Sequence, residues 1–248
     1  MEINKIYNEN CFNTFKRIPD KSIDLVLTDP PYGVTACQWD IVPDLDRLWI
    51  ELKRIGKDNC AYVFTASQPF ITDLINSNRK WFKYEWIWSK GYGGCAGLAK
   101  FRPMPAHESI LVFADGKIQY TPQMRVGLPY KDMSTRPIKT DRGYGIKKRI
   151  PVINKGTRFP LSVIEYNSQL AECNNVHKLH PSQKPVALFE YLIKTYTHES
   201  DIVLDPFIGS GTTAVACIRT NCHYIGSEIN KDYYDIAIKR IEGVLQRK

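Results

Sequence analysis

Two hydrophobic patterns alternate along the chain: short unbroken apolar runs, and longer stretches with apolar residues at helical spacing. Leu25-Val26-Leu27 is an unbroken run, the pattern of a strand covered on both faces of a parallel sheet. It lies in the stretch Ser22 to Gly33 and ends in Asp29-Pro30-Pro31-Tyr32. The prolines stop the strand, because neither can donate to a ladder and each fixes its own φ. Pro31 also holds Pro30 extended, which makes the loop stiff. Upstream, residues 3–10 alternate like an edge strand, and Phe12, Phe15 and Ile18 follow at helical spacing. Downstream, Pro43 opens a helix with Leu45, Leu48, Trp49 and Leu52 on one face. Residues 60–64 read as a strand, and Ser67 with Pro69 starts a helix through Phe70, Leu74 and Ile75. Tyr84 to Trp88 and Ser109 to Phe113 are further strands. The loop between them holds Gly91, Gly93, Gly94, Gly97, Pro103 and Pro105, and is expected to be mobile and to lie over a site.

From Asp115 to His180 the periodicity fades into prolines, glycines, basic residues and tyrosines, with a short hairpin expected at Lys117 to Tyr120. Order returns at Val186 to Thr197, where Phe189, Leu192, Ile193 and Tyr196 form a helical stripe. A strand over residues 201–205 then runs through Gly209-Ser210-Gly211 into a helix from Ala214 to Ile218. One more strand, His223 to Gly226, ends near Glu228, and a last helix carries Tyr234, Ala237, Ile238, Ile241 and Leu245 on its apolar side. Strands alternating with helices predict an α/β fold with a doubly wound, mostly parallel sheet. The expected division is one domain from residues 1–114 and 181–248, with a loop-rich insertion at 115–180.

With 43% hydrophobic and 24% charged residues among 248, the composition is that of an ordinary globular chain and excludes fibrous and disordered classes. No apolar stretch reaches the ~20 residues that span a bilayer, and residues 1–5 lack a signal-peptide pattern, so a cytoplasmic protein is expected. The seven cysteines include no Cys-x-x-Cys pair, which points to reduced thiols. Cys173, His177 and His180 lack the paired spacing of a zinc site, so no metal is expected. The net charge of +8 is concentrated: residues 115–180 hold twelve Lys and Arg against five Asp and Glu. Neutralising phosphates with such a patch releases counterions. Lys117, Arg125, Lys131, Arg136, Lys139, Arg142, Lys147, Lys148, Arg149, Lys155 and Arg158 are therefore the candidate nucleic-acid contacts, although a merely solvated basic loop has the same composition.

Two stretches carry chemistry. Asp29 and the Pro30 carbonyl offer two acceptors, and Tyr32 offers a ring, a set suited to a flat heterocycle bearing an exocyclic amine. The Gly209-Ser210-Gly211 loop between strand and helix lets backbone approach a ligand, and Glu228, 23 residues beyond Asp205, stands where an acid can bind a ribose diol. The loop lacks both Gly-x-Gly-x-x-Gly and Gly-Lys-Ser/Thr, which favours a nucleoside without phosphates. A tight strand-to-helix turn with no ligand remains the alternative.

Thr28-Asp29-Pro30-Pro31-Tyr32-Gly33, His180-Pro181-Ser182-Gln183-Lys184-Pro185 and Asp205-Pro206-Phe207-Ile208-Gly209-Ser210-Gly211-Thr212-Thr213, in this permuted order, resemble the beta group of S-adenosylmethionine-dependent DNA amino-methyltransferases. The resemblance covers nearly the whole chain and implies a Rossmann-like methyltransferase fold with a target-recognition region between the motifs. It implies that Asp29, Pro30, Pro31 and Tyr32 hold the target base. The cofactor pocket is implied at Asp205, Pro206, Phe207, Gly209, Ser210, Gly211 and Thr212, bordered by Asp29 and Cys11. By the same resemblance Glu228 binds the cofactor ribose, and Gln183 and Lys184 lie near its methionine end. Where the family often has an Asp near the cofactor adenine, this chain has Asn10, and Ser182 replaces the commoner Thr. The implied reaction is transfer of a methyl group to N6 of a flipped-out adenine in double-stranded DNA, since the family's cytosine-N4 members more often have Ser where Asp29 stands. Cytosine-N4 or RNA adenine methylation, or an inactive nucleic-acid-binding subunit, are the competing readings. Homodimerisation and a cognate restriction endonuclease are further family tendencies.

Overall fold

The structure, a computed structural model, describes residues 1–34, 40–139, 146–147, 149–167 and 183–246. Arg142, Lys148, Cys173, His177, His180, Pro181 and Ser182 lie outside the described residues, as do the side chains of Lys139 and Lys147. Along the chain run β1 (Lys5–Tyr7), α1 (Cys11–Phe15), β2 (Ile23–Thr28), α2 (Leu45–Ile55), β3 (Gly56–Ala66), α3 (Phe70–Ser77), β4 (Phe82–Ser89) and β5 (His107–Phe113). After these come β6 (Arg125–Val126), β7 (Tyr130–Asp132), β8 (Ile138–Lys139), β9 (Ile146–Lys147), β10 (Val152–Asn154), β11 (Thr157–Arg158) and β12 (Val163–Glu165). The chain closes with α4 (Val186–Tyr196), β13 (Ile202–Asp205), α5 (Thr212–Arg219), β14 (His223–Ser227) and α6 (Lys231–Leu245). Two units result: residues 1–121 with 162–248, and residues 122–161.

The first unit is built on an eight-stranded sheet in the order β1-β14-β13-β2-β3-β5-β4-β12. The five strands from β1 to β3 pair parallel, β5 runs antiparallel to both β3 and β4, and β12 adds parallel to β4. The unbroken apolar runs follow from two-sided burial. Leu25 and Leu27 of β2, with Ile110 and Val112 of β5, pack with α4, α5 and α6. Val26, Leu111 and Phe113 face the other cluster, formed with α1, α2 and α3 around Phe15, Trp49 and Phe70. The described helices therefore pack on the two faces of the same sheet, α5 with Thr212 to Ile218 all buried.

Several local expectations change. Residues 117–120 form no strand; Ile118 instead packs on the core and Thr121 N donates to Thr195 O at 2.8 Å. This contact and the pairing of β12 with β4 draw residues 115–121 and 162–167 into the first unit, so the separate unit is shorter than the expected insertion. Asp44 rather than Pro43 starts α2, its carboxylate accepting from Arg47 N at 3.0 Å. Ser67 caps nothing with its side chain, because α3 begins after Pro69. Leu245, the last residue of α6, is exposed.

The second unit is a ladder of antiparallel pairs, with β6 on β11, β7 on β10 and β8 on β9. No helix among the described residues is long and apolar enough to cross a membrane.

Candidate active site

Asp29, Asp205 and Glu228 lie at or just beyond the C-terminal ends of three strands, β2, β13 and β14, that are consecutive neighbours in the sheet. The carboxyl edge of a parallel sheet is where α/β folds bind ligands.

The Asp29 carboxylate is held from both sides. Tyr32 Oη and Thr65 Oγ1 both donate to its Oδ1 and lie 3.1 Å from each other, while Lys184 Nζ sits 2.7 Å from its Oδ2. The same ammonium is 3.1 Å from Glu108 Oε2, and Glu108 Oε1 pairs with Lys90 at 2.6 Å. Burial works against the charge on Lys184, but the Asp29 and Glu108 carboxylates outweigh it and raise its ammonium above the usual lysine range. Burial likewise pushes Glu108 up, and the Lys184 and Lys90 ammoniums overcome it and hold the carboxyl below the usual range. Burial, then the adjacent Asp29 charge, keeps the Tyr32 phenol protonated. Its ring stacks on Phe70 at 5.4 Å between centroids. The backbone of the loop is fixed by Asp40, which accepts from Tyr32 N, Gly33 N and Val34 N at 2.7 to 2.9 Å.

Asp205 organises the glycine loop from beneath. Its Oδ1 accepts from Thr28 Oγ1 at 2.6 Å and Phe207 N at 3.1 Å, and its Oδ2 from Thr213 Oγ1. It thereby joins the last residue of β2 to the first turn of α5. Burial pushes its carboxyl up to about 7. Gly209 and Gly211 hold φ of 51° and 82°, which side chains resist. A Cβ on Gly211 would also come within 3.1 Å of Ala237 Cβ. Arg240 of α6 braces this turn, donating to Ser210 O at 3.2 Å and Thr212 Oγ1 at 3.0 Å. Glu228 accepts from Gly209 N at 3.0 Å and Asn230 N at 2.7 Å, leaving each oxygen a lone pair, and burial raises its pKa. Asn10 caps α1 by accepting from Phe12 N at 3.0 Å, so part of its acceptor capacity serves the fold.

These residues enclose one cavity of about 520 Å³, within the ~300–1,000 Å³ usual for small-molecule sites. The structure brings to its wall every base- and cofactor-site candidate read from the sequence except Gly211, which stands behind it in the turn: Asn10, Cys11, Asp29, Pro30, Pro31, Tyr32, Gln183, Lys184, Asp205, Pro206, Phe207, Gly209, Ser210, Thr212 and Glu228. Trp88, Lys90, Tyr92 and Cys95 close another side, so part of the glycine-rich loop after β4 does border the site. Among the described residues, Gln183 Oε1 and Ser227 Oγ are buried without a hydrogen-bond partner, and both residues line this cavity. Orphaned polar atoms, the side-chain-free Gly209 on the wall and the remaining acceptor capacity of Glu228 fit a ligand with hydroxyl and amine donors, as S-adenosylmethionine has. Thr65, Glu108, Lys90, Asp40 and Arg240 were not legible as site residues in the sequence. Lys90 and Glu108 meet because β4 and β5 pair antiparallel and set Trp88 opposite Glu108, which brings the residue just beyond β4 to the start of β5.

Within the second unit, Arg125, Lys131, Arg136 and Lys155 are exposed. Arg149 is committed to an ion pair with Asp132, and Arg158 to Asn154, Leu128 O and the Tyr130 ring. Lys117 is exposed in the first unit.

Residues 23–239 match the DNA methylase family of N6/N4 methyltransferases. The chain is 31% identical over 256 residues to the type II methyltransferase M1.MboII of Moraxella bovis, covering 96% of each. To the DNA adenine methyltransferase YhdJ of Escherichia coli it is 27% identical over 253 residues, 97% of this chain and 83% of that one. Among solved structures, the complex of M1.HpyAVI with S-adenosylmethionine is similar with a TM-score of 0.64 at 23% identity, covering 96% of this chain and 98% of that one. The cytosine-N4-specific PvuII DNA methyltransferase gives 0.63 at 15% identity, covering 98% and 91%. These structures share the α/β fold with its mostly parallel sheet. The chain belongs to the N6/N4 DNA methylase family and is an S-adenosylmethionine-dependent DNA methyltransferase.

Proposed function

We propose that this chain is a beta-group, site-specific methyltransferase that acts on N6 of adenine in double-stranded DNA. The observation that carries the reading is the Asp29 carboxylate on the wall of the same cavity that the Asp205-to-Thr212 loop lines. The adenine specificity named for the Escherichia coli relative agrees with it.

An adenine amine is a poor nucleophile because its lone pair is delocalised into the ring. Asp29 Oδ2 and the Pro30 carbonyl accept its N–H groups and favour a pyramidal nitrogen with the pair localised. S-adenosylmethionine supplies an electrophilic sulfonium methyl group and leaves as the neutral thioether. Positive charge then appears on the nitrogen beside Asp29, so the carboxylate stabilises the transition state more than the ground state. The nitrogen sheds one proton to water and ends as a neutral secondary amine. Tyr32 packs against the extruded base, since the amine inside a duplex is out of reach. Gly209, Ser210, Phe207 and Glu228 hold the nucleoside end of the cofactor, and Gln183 its other end. The exposed cations of residues 122–161 meet DNA phosphates and that unit serves as the target-recognition region. The resemblance of the three motifs adds a cognate restriction endonuclease as genetic companion and a homodimer as working assembly to this reading.

Tritiated methyl groups offered from S-adenosylmethionine are expected to enter unmethylated double-stranded DNA and to leave an equal mass of RNA unlabelled in direct competition. Preferential labelling of the RNA would overturn the choice of substrate.

A further inference from the structure

Lys184 is only 6% exposed in its side chain, and its ammonium stands between Asp29 Oδ2 at 2.7 Å and Glu108 Oε2 at 3.1 Å. Glu108, at 12% exposure, is held in turn by Lys90 through its other oxygen at 2.6 Å. Four charges of alternating sign thus run from the loop after β2, through the segment before α4, to the facing ends of β5 and β4. Asp29 Oδ1 already accepts two hydroxyls, from Tyr32 and Thr65. A target amine must therefore be accepted mainly at Oδ2, the atom that Lys184 holds.

Full sharing would weaken the carboxylate for its task, because an ammonium in direct contact cancels the charge that the developing cation needs. The ammonium cannot simply be released either, since an unpaired buried charge is strongly destabilising. An alternative partner is built in. Glu108 Oε2 is buried and stands 3.1 Å from the ammonium, farther than the 2.7 Å to Asp29 Oδ2. A small swing of the Lys184 terminus shortens that second contact at the expense of the first.

We propose that Glu108 is a positioning residue for methyl transfer: it takes over the Lys184 ammonium as the target amine engages Asp29, so that the carboxylate meets the amine with its charge free. This rests on the reading of Asp29 as the acceptor of the amine. The exchange moves hydrogen bonds only; Lys184 keeps its protons throughout. Lys90 fixes the Glu108 carboxylate so that Oε2, and not Oε1, faces Lys184.

The test uses the full chain as wild type, Glu108→Gln, Glu108→Asp, Lys184→Gln and the double variant Glu108→Gln/Lys184→Gln. Three quantities are read: single-turnover transfer of tritiated methyl to unmethylated bacteriophage DNA, the S-adenosylmethionine dissociation constant by calorimetry, and the thermal midpoint. Glu108→Gln is expected to slow single turnover about tenfold with cofactor affinity unchanged, and Glu108→Asp to recover most of the rate. In the Lys184→Gln background, Glu108→Gln is expected to cost nothing further. An equal tenfold loss in that background, or a lowered thermal midpoint with an unchanged rate, would overturn the proposal. Should Lys184→Gln not melt cooperatively, the comparison of Glu108→Gln with Glu108→Asp decides: rates that do not follow the charge count against it. Failure of the underlying reading has a different signature, namely an active Asp29→Ala variant.

Discussion

Asp29→Ala is expected to lower the single-turnover rate of methyl transfer by about a thousandfold, at the upper end of the loss seen when one preorganised electrostatic partner of a transition state is removed. The S-adenosylmethionine dissociation constant, measured by calorimetry on the same preparation, should change by less than about threefold, because the interaction is made only in the transition state. The geometry supports this separation. Asp29 stands at the end of β2, whereas the glycine turn is held by Asp205, Glu228 and Arg240. Truncation leaves Lys184 its second partner, Glu108, so the buried ammonium is not orphaned. Asp29→Asn keeps an acceptor without its charge and should fall between the two. A variant that loses cofactor affinity in proportion to rate would show Asp29 to be a binding residue instead.

The second large effect is on stability and depends on pH. Burial raises the Asp205 carboxyl in the folded protein to about 7, against about 3.9 for an unperturbed Asp. Between these values the folded state keeps a proton that the unfolded state has released. Stability due to this group is therefore fully present below pH ~4 and is lost as pH rises to 7, a change of about 4 kcal/mol at ~1.4 kcal/mol per unit. Other titrating groups cancel in the comparison with Asp205→Asn. Urea unfolding of the two proteins at pH 4, 5.5, 7 and 8 is expected to show the wild type losing ground steadily to the variant up to pH 7 and levelling beyond it. Curves that stay parallel throughout would mean that Thr28, Thr213 and the Phe207 N–H together stabilise the ionised form as well as water does.

Legibility followed the length scale of the interaction. The run Leu25-Val26-Leu27 and its proline stop are local, and β2 and the loop emerged where expected. The glycine turn was legible because φ above zero leaves a direct mark on residue type at Gly209 and Gly211. The antiparallel direction of β5 leaves no such mark, since Ile110 to Phe113 are buried on both faces in either orientation. The strands of the second unit were missed because they are two or three residues long, and those whose side chains are described carry exposed residues such as Val126 and Ile153 with no buried face to impose a period. Thr65, Lys90, Glu108 and Arg240 reach the site only through strand pairing and helix packing, and each alone reads as an ordinary surface or strand residue.

The most direct measurement is to incubate the purified chain with S-adenosylmethionine and unmethylated bacterial DNA, digest the product to nucleosides and identify the modified base by mass. N6-methyladenine, absent when Asp29→Ala replaces the wild type, is the expected result. N4-methylcytosine as the sole product, or N6-methyladenine formed equally well by Asp29→Ala, would contradict it.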